Sequence, residues 1–277
     1  MILEIIKVNR ILLSSIFCLF FAVSLGQTWE VGGSVGGSGY MGDINPVRPY
    51  ALTDLAFGLQ VKKNFDGYFG LKLNYLHGQI EATDANSNNE HQINRNLNFY
   101  SPINEIGLQL EFNFFNYIPS VSKKRYTPYL FTGVGAVMFN PKTVLNDRVY
   151  ELRVWGTEGQ NVEEPYKKYT LSIPYGVGFK YNIFGKWSVI SEVGYRTAFS
   201  DYLDDVSGNY PDFTALPIND PRRILSDRSV YGPNNLSGRY LFSPGVQRGD
   251  YRKRDTYFFT GITLTYTFGT DKCPPAF

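Results

Sequence analysis

Polar and apolar residues alternate with a period of two along most of this chain, most cleanly between Tyr169 and Tyr202. Tyr169, Leu171, Ile173, Tyr175, Val177, Phe179, Tyr181 and Ile183 occupy the odd positions. Thr170, Ser172, Pro174, Gly176, Gly178, Lys180 and Asn182 occupy the even ones. Phe184-Gly185-Lys186 reads as a three-residue turn. The return strand sets Trp187, Val189, Val193 and Tyr195 against Ser188, Glu192, Gly194 and Arg196. A period of two sends the two sets of side chains to opposite faces of a strand. Strands of soluble sandwiches run to about 5–6 residues, whereas these run to about 15, with aromatics at both ends of the apolar face. An apolar band between aromatic girdles, backed by a polar face, is the pattern of a transmembrane β-barrel.

The same alternation predicts strands over 29–40, 51–64, 68–81, 103–114, 127–139 and 255–268. In the last of these Phe258, Ile262, Leu264, Tyr266 and Phe268 are expected outward and Thr263, Thr265 and Thr267 inward. The fold class is therefore all-β: an antiparallel transmembrane barrel of about eight strands with long extracellular loops. The connections at Asn64, Phe115 and Phe184 are the shorter set, and membrane barrels keep short turns in the periplasm and long loops outside. Residues 83–98 are polar and read as a solvated loop that contains His91. The two longest connections, 140–168 and 199–254, exceed ordinary loop lengths and are expected to form one cap. Gly156-Thr157-Glu158-Gly159-Gln160 is expected to pack with the acidic segment Asp201–Ser207 over the barrel mouth.

The N-terminus carries Lys7 and Arg10 ahead of an apolar run from Ile11 to Leu25, with small residues before Gln27. That is the layout of a secretory signal peptide. The division expected is a signal peptide over 1–26, an outer-membrane barrel over 27–269 and a periplasmic tail over 270–277. Net charge is +2, which gives no support to nucleic-acid binding. Of the two cysteines, Cys18 and Cys273, only the second would survive processing, so no internal disulfide is expected.

Inward positions carry Glu30, Glu105, Glu111 and Glu192, and also Lys62, Lys72, Lys180 and Arg196. The lumen of an eight-stranded barrel is just wide enough for side chains to fill. Four acids and four bases are thus expected to pair in a solid interior; a narrow channel along the charges is the alternative. His77, with Glu81 four residues on, is the candidate for a lipid-modifying enzyme, but no Gly-x-Ser-x-Gly elbow accompanies it. The other reading of His77 is a polar residue at the membrane rim. Asp201, Asp204 and Asp205 are a candidate Ca²⁺ cluster with a spacing unlike an EF-hand; a hydrogen-bonded turn is the other reading. No cofactor is expected.

Glu30-Val31-Gly32-Gly33, followed by Gly36-Gly37-Ser38-Gly39-Tyr40-Met41-Gly42-Asp43-Ile44, resembles the opening of the PorG-like outer-membrane barrels of the type IX secretion system. Glu105 through Phe115, then Thr127-Pro128-Tyr129, is similar to the middle of that family. Gly156–Gln160 and Tyr202–Ser207 are similar to its loop motifs. The resemblance implies a non-enzymatic component of a protein secretion and gliding machine. Its partners would be outer-membrane lipid and a periplasmic ring made of a lipoprotein and its partner. Interfaces favour Tyr and Arg, so the expected docking surface is the longer periplasmic turn, with Lys123, Lys124 and Arg125 beside Tyr117 and Tyr126. Lys272, Cys273 and Phe277 of the tail would lie near the same rim.

Overall fold

The computed structural model describes residues 28–45, 50–250 and 252–268. The signal-peptide segment and the 270–277 tail, with Lys272, Cys273 and Phe277, lie outside the described residues. Eight long strands form the wall: β1 (Thr28–Met41), β2 (Asp54–Asn64), β3 (Phe69–Thr83), β4 (Asn98–Asn113), β5 (Tyr126–Phe139), β8 (Tyr169–Phe184), β9 (Trp187–Ala198) and β10 (Thr256–Phe268). A short hairpin, β6 (Lys142–Leu145) and β7 (Arg148–Glu151), rises from the rim between β5 and β8. Neighbouring wall strands pair antiparallel, β1 pairs with β10, and β3 pairs with β4, so the sheet closes on itself.

The wall strands are 11 to 16 residues long. A tilted strand needs only about 9–11 residues to cross a bilayer, so the wall extends beyond the hydrocarbon. The excess lies at the long-loop end, where β3 and β4 stay paired out to Thr83↔Asn98. Leu59, Leu108, Val134, Leu171, Val177 and Ile262 are exposed on the outer face. Near the short-turn end the outer face carries a ring of aromatics, including Trp29, the tilted pair Phe69–Phe112, the stacked pair Tyr126–Phe179 and the edge-on pair Trp187–Tyr266.

Several expectations need correction. The β8–β9 turn has two residues, Gly185 and Lys186, because Phe184 pairs with Trp187; Gly185 takes the left-handed backbone (φ 48°) that this tight reversal requires. β4 starts at Asn98 rather than 103, and β2 at Asp54 rather than 51. Residues 83–98 are not a solvated loop. They form a 3₁₀ turn, Asp84–Asn86, and a short helix, α1 (Glu90–Arg95), with Asp84, Gln92, Arg95 and Leu97 buried. Phe258, expected to face lipid, is buried. Its ring fills the space that Gly39 leaves on β1 and lies 5.5 Å from the Tyr195 ring.

The core has two parts. Tyr129, Phe131 and Ile190 form a small apolar cluster inside the lumen. A larger one begins with Ile80, Phe99, Ile103, Val137 and Tyr257 in the upper wall. It continues without a break into Leu152, Leu203, Val206, Ile224 and Leu225 of the loops. The cap is therefore the upper part of the barrel's own core. A second short helix, α2 (Pro221–Ser226), supplies the last two of these residues; the Asp220 carboxylate accepts from the Arg222 N–H to cap it, and Pro221 starts it.

At the β1–β10 seam Gly36 pairs with Gly261, and a Cβ on Gly36 would lie 2.0 Å from the Thr260 carbonyl oxygen. Overpacking of this kind costs about 1–3 kcal/mol. Gly36→Ala should lower the urea midpoint for loss of heat-modifiable gel migration. Gly33→Ala, whose Cβ would meet nothing nearer than 3.9 Å, should leave it unchanged.

Candidate functional site

Inward positions of all eight wall strands contribute polar side chains to the lumen. Lys62 on β2 and Lys72 on β3 are direct cross-strand partners, a like-charge pairing that would repel. The acids of other strands divide them. Lys62 Nζ is 2.8 Å from Glu30 and 3.4 Å from Glu111; Lys72 Nζ is 3.2 Å from Glu111 and 2.6 Å from Glu192. Lys180 donates to Glu111 at 2.5 Å and to Asn113 at 2.8 Å. Glu111 thus receives three lysines. Higher up, Arg196 Nε is 3.5 Å from Glu105 and its guanidinium 3.9 Å from Glu192. The Tyr129 hydroxyl donates to Glu192 at 2.7 Å and the Tyr257 hydroxyl to Glu105 at 2.5 Å. All eight charged side chains expected inside lie in the lumen. All are essentially buried except Glu192, whose side chain is 19% exposed. A cavity of about 40 Å³ lies beside Lys72, Asn74, Glu192 and Arg196. That is room for one or a few waters.

Both mouths are filled. At the short-turn end, the β4–β5 connection folds Tyr117 up into the barrel, where its hydroxyl donates to Ser188 Oγ at 2.9 Å. Asn182 Nδ2 bonds the Gly185 and Trp187 carbonyls beside it. Tyr117 is buried, which corrects its expected place on a docking surface: it is a plug. Lys123, Lys124, Arg125 and Tyr126 on the same connection are exposed. Lys124 Nζ sits 3.6 Å over the Phe115 ring, and Tyr126 belongs to the aromatic ring around the barrel.

At the other end three buried arginines tie the loops together. Arg95 holds Asp84 with two nitrogens, at 2.7 and 2.8 Å, and also bonds the carbonyls of Asp43 and Arg248. Arg248 reaches Glu158 at 2.9 Å and the carbonyls of Asp205 and Ser226. Arg228 bonds Asn98, Thr143 and the Val144 carbonyl. The 156–160 motif meets the acidic segment directly. Thr157 Oγ1 and the Tyr166 hydroxyl donate to the two oxygens of Asp205, Glu158 accepts from the Ser207 and Gly208 N–H groups, and Tyr166 stacks on Tyr202 at 4.5 Å. The two long connections are one packed unit.

Asp201, Asp204 and Asp205 do not converge on a common point. Asp201 accepts from the Ser207 hydroxyl, Asp204 from the Tyr40 hydroxyl and the Val206 N–H, and Asp205 from Thr157 and Tyr166. Burial pushes the Asp205 carboxyl up to about 6 and holds that of Asp204 well above the usual carboxylate range. His77 is exposed on the outer face, with Nδ1 2.9 Å from the Asn104 side-chain oxygen that also accepts from the Tyr75 hydroxyl. Glu81 is likewise exposed on the outer face. His91 is exposed, with its ring 5.1 Å from Phe242. Sequence reasoning missed the three cap arginines and the Tyr117 plug. Their only signal was placement in loops too long to be simple connectors.

A closed antiparallel barrel with an apolar outer belt, an aromatic ring and a polar interior is the construction of an outer-membrane barrel protein, and this chain is one. Residues 9–220 match the family described as "Domain of unknown function (DUF6089)". The chain belongs to that family. Similar solved structures include the outer membrane protein OprG from Pseudomonas aeruginosa (10% identity, TM-score 0.43), over 90% of this chain and 98% of that one. A major outer membrane protein from Thermus thermophilus is 13% identical (TM-score 0.41), over 87% of this chain and 99% of that one. The N-terminal β-barrel domain of Pseudomonas aeruginosa OprF is 11% identical (TM-score 0.39), over 88% and 99%. No curated protein matches the chain.

Removing one partner of a buried ion pair leaves an uncompensated charge and costs about 3–5 kcal/mol. Glu111→Gln, which keeps the shape and removes the charge shared by three lysines, should lower the heat-modifiability temperature. Adding Lys180→Met to it should recover part of the loss. In the cap, Arg248→Ala removes the cation paired with Glu158 and the bonds to the Asp205 and Ser226 carbonyls. Protease added to intact cells should then cut within 199–250 faster than in the wild type, with barrel migration unchanged.

Proposed function

We propose that this barrel is a structural, non-enzymatic component of a type IX protein secretion and gliding machine, which anchors a periplasmic ring made of a lipoprotein and its partner. The observation that carries the reading is the filled barrel. A lumen braced from wall to wall and closed at both mouths leaves surfaces, rather than a passage, as what the protein offers. The PorG-like motifs supply the machine, since they lie in the first strand, the fourth and fifth strands and the packed cap loops. On the short-turn side the exposed area is small, because two of the three connections are tight turns. The third presents Lys123, Lys124 and Arg125 together, all exposed, on the connection that also carries the Tyr117 plug. Charge complementarity steers and orients encounters of this kind. The His77 imidazole is engaged by an amide oxygen rather than by a nucleophile, which weighs against the lipid-modifying alternative.

Replacing Lys123, Lys124 and Arg125 together by Glu should abolish co-purification of the periplasmic ring from native outer membranes. Barrel assembly, read by heat-modifiable migration, should be unaffected. Ring recovery at wild-type levels would place docking elsewhere. Steady single-channel conductance of the purified barrel in planar bilayers would favour the narrow-channel alternative.

A further inference from the structure

Beneath the cap, three segments far apart in sequence bring carboxylates together. Asp43 comes from the loop after β1, Asp201 from the loop after β9, and Asp255 from the residue before β10. One carboxylate oxygen from each lies within 4.8 Å of the others. Asp204 adjoins them through Tyr40, whose hydroxyl is 2.6 Å from Asp204 Oδ2 and 3.0 Å from Asp255 Oδ1. That hydroxyl has a single hydrogen to give. Asp43 is 3% exposed; its Oδ1 accepts from the Asp250 N–H at 2.6 Å, and its Oδ2 is buried with no hydrogen-bond partner among the described residues. The neighbouring guanidiniums are committed elsewhere, Arg95 to Asp84 and Arg248 to Glu158.

We propose that Asp43, Asp201 and Asp255 bind a divalent cation, Ca²⁺ by chemistry, which fastens the extracellular cap to the barrel rim. Ca²⁺ takes oxygen ligands at about 2.3–2.6 Å, so two ligands of one ion stand at most about 5 Å apart, and the three carboxylate oxygens, all within 4.8 Å of one another, lie inside that limit. The donors are all oxygen, which selects a hard ion over zinc or copper. Asp201 is only half-buried, so water can complete the shell and the ion has a way in. Without a cation the cluster must hold protons. Burial raises the Asp43 carboxyl to about 9 and that of Asp201 to about 6, and repulsion from Asp43 and Asp201 adds to the burial that raises Asp255. A cation takes the place of those protons and releases them on binding.

The test uses the full-length barrel folded in detergent micelles and cleared of metal with EGTA. Tb³⁺ is the probe, because Tyr40 lies against the cluster and sensitises its emission. The expected result is saturable Tb³⁺ luminescence displaced by Ca²⁺, with Ca²⁺ affinity in the range of about 10⁻⁴–10⁻³ M found for extracellular sites. Asp43→Asn and Asp255→Asn should each weaken Ca²⁺ binding by about tenfold or more, as loss of a charged ligand does. The exposed-loop control Asp212→Asn should not. Each Asn removes a buried repulsion, so the metal-free variants should keep heat-modifiable migration. Should one fail to fold, Asp201→Asn, at the half-exposed position, serves in its place. Terbium emission that Ca²⁺ does not displace, or equal affinity in wild type and variants, overturns the proposal. So does neutralisation by protons alone. In that case Ca²⁺ leaves the protease resistance of the cap unchanged at every pH, and only the fall of metal-free cap stability as pH rises from about 4 to about 9, which a raised folded-state pKa produces with or without a cation site, is seen.

Discussion

The width of an eight-stranded barrel governs this molecule. Its interior is too narrow for a water column and too wide to be left empty, so every inward side chain must fill space and find a partner there. Charged side chains meet both demands only when they pair, because a lone buried charge costs several kcal/mol. The lower lumen meets the demand with Glu111 ion-paired to Lys62, Lys72 and Lys180, and with Glu192 bridging Lys72 and Arg196. These contacts cross the lumen, so they fix the separation of opposite walls as well as neutralising charge. The upper lumen meets it with Phe99, Phe139 and Tyr257, which merge into the cap.

The cap depends on the same constraint in another form. Its loops carry backbone groups and charged side chains below a packed surface, where each needs a partner. Arg95, Arg228 and Arg248 answer this by reaching several carbonyls and carboxylates at once, as a planar guanidinium allows. Each joins segments that the strand ladder cannot join. The hairpin β6–β7, the 3₁₀ turn at Asp84–Asn86 and both short helices are held this way, although none is long enough to be stable alone.

The wall was legible from sequence because membrane strands obey two environments at once, lipid outside and a packed lumen inside, and their alternation is written at every second residue. The inward position of the eight charged residues follows from that parity. Parity says nothing about which acid meets which base, and Lys62 opposite Lys72 would have looked like an error. Gly39 hides Phe258 from lipid although its parity faces outward. The cap was not legible, because Asp84, Arg95 and Arg248 look like the polar residues of any loop. Their burial depends on contacts more than a hundred residues away, such as Arg95 with the Arg248 carbonyl. Tyr117 was misplaced for the same reason: a tyrosine in a turn gives no sign of whether it points to solvent or into the barrel. The carboxylates adjacent in sequence, at 201, 204 and 205, are not the set the fold brings together, which is 43, 201 and 255.

The Glu111 node also bears on the order in which the chain assembles. Lys62 and Lys72 lie in the second and third strands, Glu111 in the fourth and Lys180 in the eighth, and Lys72 needs Glu192 of the ninth. An N-terminal half on its own would hold Lys62 with both of its acids, but Lys72 without Glu192, Glu111 without Lys180 and Glu105 without Arg196. Those three partners come only with the eighth and ninth strands. The charge pairing of the interior is therefore complete only in the closed barrel.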